Sequence, residues 1–378
     1  MDTSKPPPPS PPERAAPAPA AVPAPWWRPD VFARRRANLA ARTAALRAVR
    51  EFFDARGYVE VETPALQVSP GMEPHLEAFA TTLFGVAGEG SPVGLHTSPE
   101  FAMKKLLAAG MERIWQLARV FRNGERSARH HPEFTMLEWY AAGAGWRDIA
   151  RETEDLVRAV AGPVARHRGH EVDLAGPWEY LSFADAFARH AGIDLLATAP
   201  DGRDGQAPDR DALARRAREI GIRTADDDAW DDIVFRILFE KIEPHLGFDA
   251  PTVFHSWPVS MAALARPDPA DPRVADRFEV FVCGLELANG YGELTDAAEQ
   301  RRRFAAEVAR REGLGRAAWP VDADFIAALE SGLPDCGGVA LGFDRLVMLA
   351  TGADRIEDVL WAPVAEPVAE PVAGGQEG

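Results

Sequence analysis

The chain has 378 residues, 46% of them hydrophobic, which is enough for one large domain or two small ones with a substantial core. A formal net charge of −16 argues against a protein that grips long stretches of phosphate backbone, and the two cysteines, Cys283 and Cys336, are too few for a disulfide framework or a cysteine zinc site. Because the sequence has no secretory signal and no run of about 18 apolar residues, we expect a cytoplasmic protein without a membrane anchor.

The two ends of the chain differ in composition from the rest. Residues 1–29 consist mainly of proline and alanine, and proline fixes φ and lacks an amide donor, so we predict a disordered tail. Residues 363–378 contain a short VAEP repeat and are also predicted to be disordered. The globular part is therefore expected to cover residues 30–362, with a charged, helix-forming insertion at about 177–250.

Helices and strands can be predicted in order along the globular part. Apolar residues recur at helical spacing in residues 31–57, a short strand follows in 58–64, and a second helix is predicted in 96–110. The segments 113–123 and 133–142 alternate like paired strands. After the insertion, strands are predicted in 252–258, 277–290 and 336–342, and a last helix in 344–352. Strands joined by hairpins rather than by regular βαβ units predict an α+β fold with an antiparallel β-sheet flanked by helices.

The loop between the first two paired strands is rich in cationic side chains. Arg122 ends the first strand, and the GERSARHHP that follows is too polar for a core and too long for a tight hairpin. The period of two places the even-numbered side chains of the next strand on one face: Phe134, Met136, Glu138 and Tyr140. Cations beside an aromatic ring suit a nucleotide, and the carboxylate and phenol can receive an ammonium group. A sheet with a solvated, salt-bridged loop is an equally good interpretation at this point.

A second polar segment is GLELANGYGEL, residues 284–294. In a regular strand Glu286 shares a face with small residues, Ala288, Gly290 and Gly292, which would let a ligand approach the backbone. Glu293 has the opposite parity, so a glycine bulge would be needed to bring it beside Glu286. Two such carboxylates suit Mg²⁺. A polar hairpin edge explains the same residues without a ligand.

Two further segments place polar groups at the start of a helix. In CGGVALGFDR a glycine-rich strand leads into a helix with Arg345 in its first turn, an arrangement that favours anions. In TSPE, Ser98 and Glu100 open a helix and can face a polar ligand. An arginine paired with a neighbouring carboxylate, and a plain helix cap, are the alternatives.

In combination and in this order, the segments resemble the catalytic domain of class II aminoacyl-tRNA synthetases, and within them the lysine branch. EVETP is similar to motif 1, the dimer-interface strand, FRNGERSARHHPEF to motif 2, and GVALGFDR to motif 3; TSPE, PEFTMLEWY and ELANGYGEL suggest the lysine branch. We expect no room before the domain for the anticodon-binding barrel of a lysyl-tRNA synthetase. The chain therefore resembles the elongation factor P–(R)-β-lysine ligase family, stand-alone catalytic domains that attach (R)-β-lysine to a lysine of elongation factor P.

The resemblance implies an ATP-dependent, Mg²⁺-using homodimer that forms an aminoacyl-adenylate from (R)-β-lysine or lysine and transfers it to elongation factor P rather than to tRNA. The implied amino-acid pocket consists of Ser98, Pro99, Glu100, Glu138, Tyr140 and Glu293. The implied ATP-binding residues are Arg122, Asn123, Gly124, His131, Phe134, Glu286, Leu287, Gly342 and Arg345. Arg122 would bind the α-phosphate and the substrate carboxylate, and Phe134 and Arg345 would sandwich the adenine. Glu286 and Glu293 would hold the metal.

Three positions depart from the patterns of these families. Synthetases usually have glycine where motif 3 has Ala340, and the added methyl group at the pocket floor would disfavour α-lysine, so we predict that Ala340 determines specificity. Motif 2 usually reads Arg-Asn-Glu, but here Gly124 follows Asn123 and the glutamate comes at Glu125, so the adenine contact is expected from the main chain or from a shifted loop. His131 replaces the usual asparagine, and either side chain can reach a phosphate.

Two other functions are left open. The first is a minimal lysyl-tRNA synthetase-like enzyme acting on tRNA, which the acidic charge and the missing barrel oppose. The second is a non-catalytic paralogue that binds an amino acid, which the retained ATP-site residues oppose: Arg122, Glu286, Glu293 and Arg345. ATP–pyrophosphate exchange separates the second from the enzymes.

Overall fold

The computed structural model describes residues 25–73, 75–199 and 207–365. Most of the predicted N-terminal tail and of the predicted C-terminal tail, and part of the predicted insertion, lie outside these ranges. Within them, no helix combines the length and the apolar character that a membrane span requires.

The described residues form an α+β fold, as predicted. The helices are α1 (Pro29–Asp54), α2 (Glu100–Ala108), α3 (Trp146–Ala161), α4 (Phe183–Ala191), α5 (Arg210–Glu219), α6 (Trp230–Ile237), α7 (Ala297–Gly313), α8 (Ala323–Gly332) and α9 (Phe343–Thr351). The strands are β1 (Val59–Glu60), β2 (Leu66–Gln67), β3 (Phe79–Phe84), β4 (Gly90–Leu95), β5 (Arg113–Phe121), β6 (Glu133–Ala142), β7 (Val164–His167), β8 (His170–Asp173), β9 (Glu179–Ser182), β10 (Thr252–Pro258), β11 (Val274–Val282), β12 (Leu285–Gly292) and β13 (Cys336–Gly342).

The main sheet has eight strands in the order β1-β5-β6-β13-β12-β11-β10-β9. Its centre, from β5 to β10, is antiparallel as predicted. The two edge strands differ from the prediction, because β1 pairs with β5 and β9 pairs with β10 in parallel. The ladder between β5 and β6 runs from Arg113–Ala141 to Phe121–Glu133 without a shift, so the cationic loop lies at its open end.

One face of the main sheet is covered by α1, α3 and α9. The odd-numbered side chains of β6 (Leu137, Trp139 and Ala141) pack into the core beneath these helices. In the same core, the ring of Phe53 from α1 stacks on Trp115 with centroids 4.9 Å apart. Since successive side chains of a strand alternate between faces, the even-numbered residues of β6 are left for the opposite face.

The helices α4, α5 and α6 lie within the predicted insertion and have an apolar cluster of their own. This cluster includes Phe187, Leu213 and Ile233 from the helices and reaches Phe254 and Trp257 of β10. The packing fixes the insertion on the β9–β10 edge of the sheet, so that α6 stands beside the face that α1, α3 and α9 leave uncovered.

Candidate active site

The face of the sheet opposite α1, α3 and α9 carries a row of side chains across four strands. Glu138 of β6 lies opposite Ala340 of β13. Asn289 of β12 lies opposite Ala340 and, on its other side, opposite Glu279 of β11. Cross-strand partners project to the same face, so these four side chains form one line. Their common face is the one that the alternation of β6 predicted.

A cavity of about 410 Å³ lies on this face, a size that suits a small organic ligand. Most predicted site residues line it: Ser98, Glu100, Arg122, His131, Phe134, Glu286, Leu287, Ala340, Gly342 and Arg345. The remaining ones do not: Pro99, Asn123, Gly124, Glu138, Tyr140 and Glu293. Of these, Glu138, Tyr140 and Glu293 are buried and form an acidic layer behind the cavity wall.

Ser98 joins the cavity wall to this layer. Its hydroxyl donates to Glu138 Oε1 at 2.5 Å and accepts from the backbone N–H of Glu100, the first residue of α2, at 3.0 Å. Ser98 therefore orients the Glu138 carboxylate and satisfies the first backbone N–H of the helix. Tyr140 donates to Glu138 Oε2 at 2.8 Å. Burial raises the pKa of Glu138 to about 8, and the charge of Glu100 acts in the same direction. Burial thus favours the neutral form of Glu138, whereas the two hydrogen bonds that it accepts favour the carboxylate.

Lys104 is a member of the layer that the sequence analysis missed. Its buried Nζ lies 2.5 Å from Glu100 Oε1 and 2.5 Å from Glu293 Oε2. Burial raises the pKa of Glu293 to about 7, although the Lys104 ammonium opposes the rise. One cation thus faces three carboxyl groups, and a second ammonium brought by a ligand would let all of them ionise. The signal available in the sequence was the spacing of Glu100 and Lys104, one helical turn apart.

Gly338 provides the space in which Tyr140 and Glu293 meet. A Cβ at this position would clash with Tyr140 Cδ1 and lie 2.6 Å from Glu293 Oε1. Gly290 of β12 has a different role from the one predicted. A Cβ at Gly290 would lie 2.5 Å from Phe278 Cε1, so this glycine admits a core side chain rather than a ligand, and that part of the prediction is wrong.

Strand β12 contains a bulge, as the sequence required, but not at its glycines. Val280 of β11 lies opposite Ala288 while Phe281 lies opposite Glu286, which leaves Leu287 as the extra residue. The bulge removes Glu286 from the face of Ala288 and puts it on the face of Asn289. The prediction that Glu286 shares a face with the small residues is therefore wrong, because it assumed a regular strand.

Glu279 is a carboxyl group of β11 whose pKa is affected by the charge of Glu286. Burial raises its pKa to about 8, Arg277 opposes the rise and Glu286 adds to it. Arg277 Nη2 donates to Glu279 Oε1 at 2.6 Å. Within the described ranges, no three histidine, cysteine or acidic side chains are grouped as a metal site. Glu293 has the Lys104 ammonium as a counter-charge, and its pairing with Glu286 at a metal stays a prediction.

Arg122, Phe134 and Arg345 form a cationic and aromatic wall at the other end of the cavity. Arg122 Cζ lies 5.2 Å from the centroid of the Phe134 ring, and its buried Nε has no hydrogen-bond partner among the described residues. Arg345 Nη1 donates to the carbonyl oxygen of Glu286 at 2.6 Å, and Nη2 donates to His130 Nε2 at 3.0 Å. A guanidinium with a free donor suits a phosphate or carboxylate oxygen.

This wall is supported from the helical side of the sheet. Asp344, next to Arg345, pairs with the buried Arg42 of α1 and accepts from the backbone N–H of Thr135 at 2.7 Å. Arg42 Nη2 donates to Thr135 Oγ1 at 2.8 Å. The network fixes the start of β6, which carries Phe134, relative to the first turn of α9, which carries Arg345.

The departures in motif 2 each have a structural counterpart. The backbone N–H of Asn123 donates to the Glu77 carbonyl at 2.7 Å, and Gly124 follows with φ +78°, a left-handed conformation that favours glycine. Beyond this turn, the displaced Glu125 does reach the cavity wall, as the shifted-loop alternative expects.

His131 is in contact with the C-terminal part of the chain. Its Nδ1 lies 2.5 Å from the carbonyl oxygen of Glu133, and its Nε2 accepts from the backbone N–H of Val364 at 3.2 Å. Arg126 Nη2 donates to the Val364 carbonyl at 2.8 Å. Both ring nitrogens of His131 are thus engaged, and Val364, inside the segment predicted as disordered, makes two specific hydrogen bonds.

Comparison with known proteins gives a family model and a group of relatives that agree with each other. The family model for tRNA synthetases class II (D, K and N) matches residues 31–366. The elongation factor P–(R)-β-lysine ligase of Klebsiella pneumoniae (strain 342) is 42% identical over 326 residues, 85% of this chain and 94% of that protein. The ligases of the same name from Proteus mirabilis (strain HI4320) and Yersinia enterocolitica (serotype O:8, biotype 1B) are 40% and 41% identical over 341 residues, 89% of this chain and 97% of each.

Proposed function

Because the chain belongs to the class II tRNA synthetase family (D, K and N), within the group of elongation factor P–(R)-β-lysine ligases, we propose that it activates (R)-β-lysine with ATP and joins it to a lysine ε-amine of elongation factor P. One observation carries the proposal most directly. A buried layer with a surplus of carboxyl groups lies across one cavity from a free guanidinium beside an aromatic ring.

The first step is the formation of an adenylate. A carboxylate oxygen of the amino acid attacks the α-phosphorus of ATP, the bond from this phosphorus to the bridging oxygen breaks, and pyrophosphate leaves. Arg122 would bind the carboxylate and the α-phosphate and hold the two reactants in line. Phe134 and Arg345 would hold the adenine between them, and the backbone at Leu287 and Gly342 would contact the nucleotide.

The acidic layer would hold the distal ammonium of the substrate. Glu100 lines the cavity, and Glu138 and Glu293 stand behind it with raised pKa values, so an arriving ammonium favours their ionised forms. Ser98 and Tyr140 keep Glu138 oriented through hydrogen bonds to both of its oxygens. In the second step, the acceptor amine attacks the adenylate carbonyl carbon, the bond to AMP breaks, and the amine loses a proton as the amide forms.

We further propose that Mg²⁺ binds at Glu286, a carboxylate of the cavity wall, with Glu293 as the second carboxylate that the resemblance implies. When bound, the ion would neutralise phosphate charge. Glu293 also contacts Lys104 and belongs to the proposed amino-acid pocket.

The cytoplasmic location, the homodimer and the preference for a protein acceptor over tRNA also remain proposals. The resemblance of EVETP to the dimer-interface strand supports a dimer. In addition, several apolar side chains are exposed around this strand and the small sheet: Val59, Leu66, Val68, Leu83 and Phe84. The net charge of −16 supports the protein acceptor.

Ala340→Gly is expected to widen the use of α-lysine. The methyl group of Ala340 lines the cavity between Glu138 and Asn289, and one methyl group in a pocket alters discrimination by about 10-fold or more. We therefore expect kcat/KM for α-lysine in ATP–pyrophosphate exchange to rise by about 10-fold relative to that for (R)-β-lysine. An unchanged ratio would show that Ala340 does not set specificity.

Removing Val364 is expected to weaken ATP binding. A chain ending at Pro363 loses both Val364 hydrogen bonds to the motif 2 loop, each worth about 1 kcal/mol, so KM for ATP should rise by about 5- to 30-fold with little change in KM for the amino acid. The matched control is a chain ending at Ala365, which keeps both bonds. Equal KM values for the two chains would contradict a role for Val364.

ATP–pyrophosphate exchange tests the proposed activation step. We expect exchange that requires both (R)-β-lysine and a divalent cation. No exchange with any lysine isomer would favour the non-catalytic paralogue. Exchange with α-lysine, followed by esterification of tRNA, would favour the minimal synthetase.

A further inference from the structure

One wall of the cavity takes no part in the nucleotide and amino-acid sites proposed above. It is formed by Asp231 and Phe235 of α6, by Ser260, and by Glu307 and Arg310 of α7. We call it the α6–α7 wall. It lies where the inserted helices meet the catalytic domain, and it opens into the same cavity as Arg122 and Ser98.

The charges of this wall are not balanced. Arg310 is committed to α6, because Nη1 lies 3.0 Å from Asp231 Oδ2 and Nη2 lies 3.6 Å from Asp232 Oδ1. Glu307, one turn before Arg310, has a buried Oε2 without a hydrogen-bond partner among the described residues. Burial raises the pKa of the Glu307 carboxyl, against the influence of Arg310. A carboxyl group in this position would be stabilised by a cation that a ligand supplies.

An aromatic strip leads from the wall to the protein surface. Phe235 stacks on Phe239 with ring centroids 5.8 Å apart, and Phe239 is 58% exposed. Phe239 belongs to a π-helical turn, Leu238–Ile242, a rare conformation that is frequent at functional sites. The side chain that matches an apolar strip ending at a carboxyl group is lysine, with an aliphatic stem and a terminal ammonium.

The proposed reaction has three reactants, and the nucleotide and the activated amino acid occupy two parts of the cavity. We propose that the α6–α7 wall receives the third, the acceptor lysine of the partner protein, with its ε-ammonium at Glu307, its stem along Phe235 and the flanking polypeptide at Phe239. This inference rests on the proposed function and assigns its acceptor site. The other source of an ammonium at Glu307 is the free amino acid, and the two half-reactions distinguish these sources.

The test compares Glu307→Gln with the wild-type chain in each half-reaction. We expect ATP–pyrophosphate exchange with (R)-β-lysine to stay within about twofold, while single-turnover transfer from preformed adenylate to elongation factor P falls by about 10-fold or more. The matched control is Glu312→Gln, an exposed glutamate of the same helix; it should leave both rates unchanged. Equal losses in both half-reactions would assign Glu307 to the free amino acid, and no loss in either would exclude it from the acceptor site.

A second variant tests the strip. Phe239→Ala removes an exposed side chain, so the fold should be retained, and KM for elongation factor P should rise by about fivefold or more with exchange unchanged. An unchanged KM would overturn the placement of the polypeptide. If the wild-type chain forms the adenylate but never modifies elongation factor P, the proposed function fails and this inference fails with it. Normal transfer by Glu307→Gln is a different result, which would overturn this inference alone.

Discussion

Arg122→Ala should lower ATP–pyrophosphate exchange by about a thousandfold or more. Arg122 has a buried Nε without a partner among the described residues and stands over Phe134 at the cavity wall. A guanidinium that binds the attacking carboxylate and the α-phosphate stabilises charge that develops in the transition state, and removing such a group typically costs about 10³-fold in rate.

The measurement is exchange at saturating ATP and (R)-β-lysine, with circular dichroism to verify folding. Arg113→Ala is the matched control, because Arg113 is exposed and lies at the opposite end of β5 from Arg122, which follows the strand; it should exchange at close to the wild-type rate. Near-normal exchange by Arg122→Ala would remove Arg122 from the reaction centre.

Lys104→Met should destabilise the folded protein by about 3–5 kcal/mol at pH 8. The Lys104 ammonium contacts Glu100 and Glu293, and all three groups are buried. Methionine fills a similar volume but leaves two carboxylates without a counter-charge, and breaking a buried ion pair in this way costs about 3–5 kcal/mol. Urea unfolding followed by tryptophan fluorescence measures the change in unfolding free energy.

The cost of Lys104→Met should depend on pH. The pKa of Glu293 is raised from 4.5 to about 7 in the folded protein, and loss of the ammonium raises it further. A carboxyl group with a raised folded-state pKa holds its proton more tightly when folded, so stability falls as pH rises from 4.5 through the folded value. The variant should therefore approach wild-type stability at pH 5.

Lys105→Met is the control for this substitution. Lys105 follows Lys104 in the same helix but is partly exposed, and its ion pairs are with Asp322 and Asp324. Its loss should cost about 1 kcal/mol, because Asp324 is exposed and Asp322 keeps its hydrogen bonds from two backbone N–H groups. A cost at Lys104 that is equally small, or that does not change between pH 8 and pH 5, would mean that the acidic layer is not charged as described.

Local patterns were sufficient to predict the parts of the site that depend on a single strand or turn. The alternation of β6 put Phe134 and Glu138 on one face, and the observed register agrees, because a period of two assigns faces without reference to partners. The order of the motifs predicted the family to which the chain belongs. The roles implied for individual residues remain predictions.

Features that depend on distant partners could not be obtained in this way. The bulge at Leu287 is defined by the register between β11 and β12, and its position decides which face Glu286 occupies. The contact of Lys104 with Glu293, and that of His131 with Val364, join segments far apart in the chain. Parallel pairing of the edge strands likewise follows from tertiary packing rather than from strand sequence.

The most direct test of the proposed function is the intact mass of elongation factor P after incubation with this protein, ATP, Mg²⁺ and (R)-β-lysine. We expect a gain of one lysyl unit on a single lysine side chain, absent without ATP and absent with Arg122→Ala. An unchanged mass, under conditions in which the same preparation forms the adenylate, would contradict transfer to elongation factor P and direct the search to another acceptor.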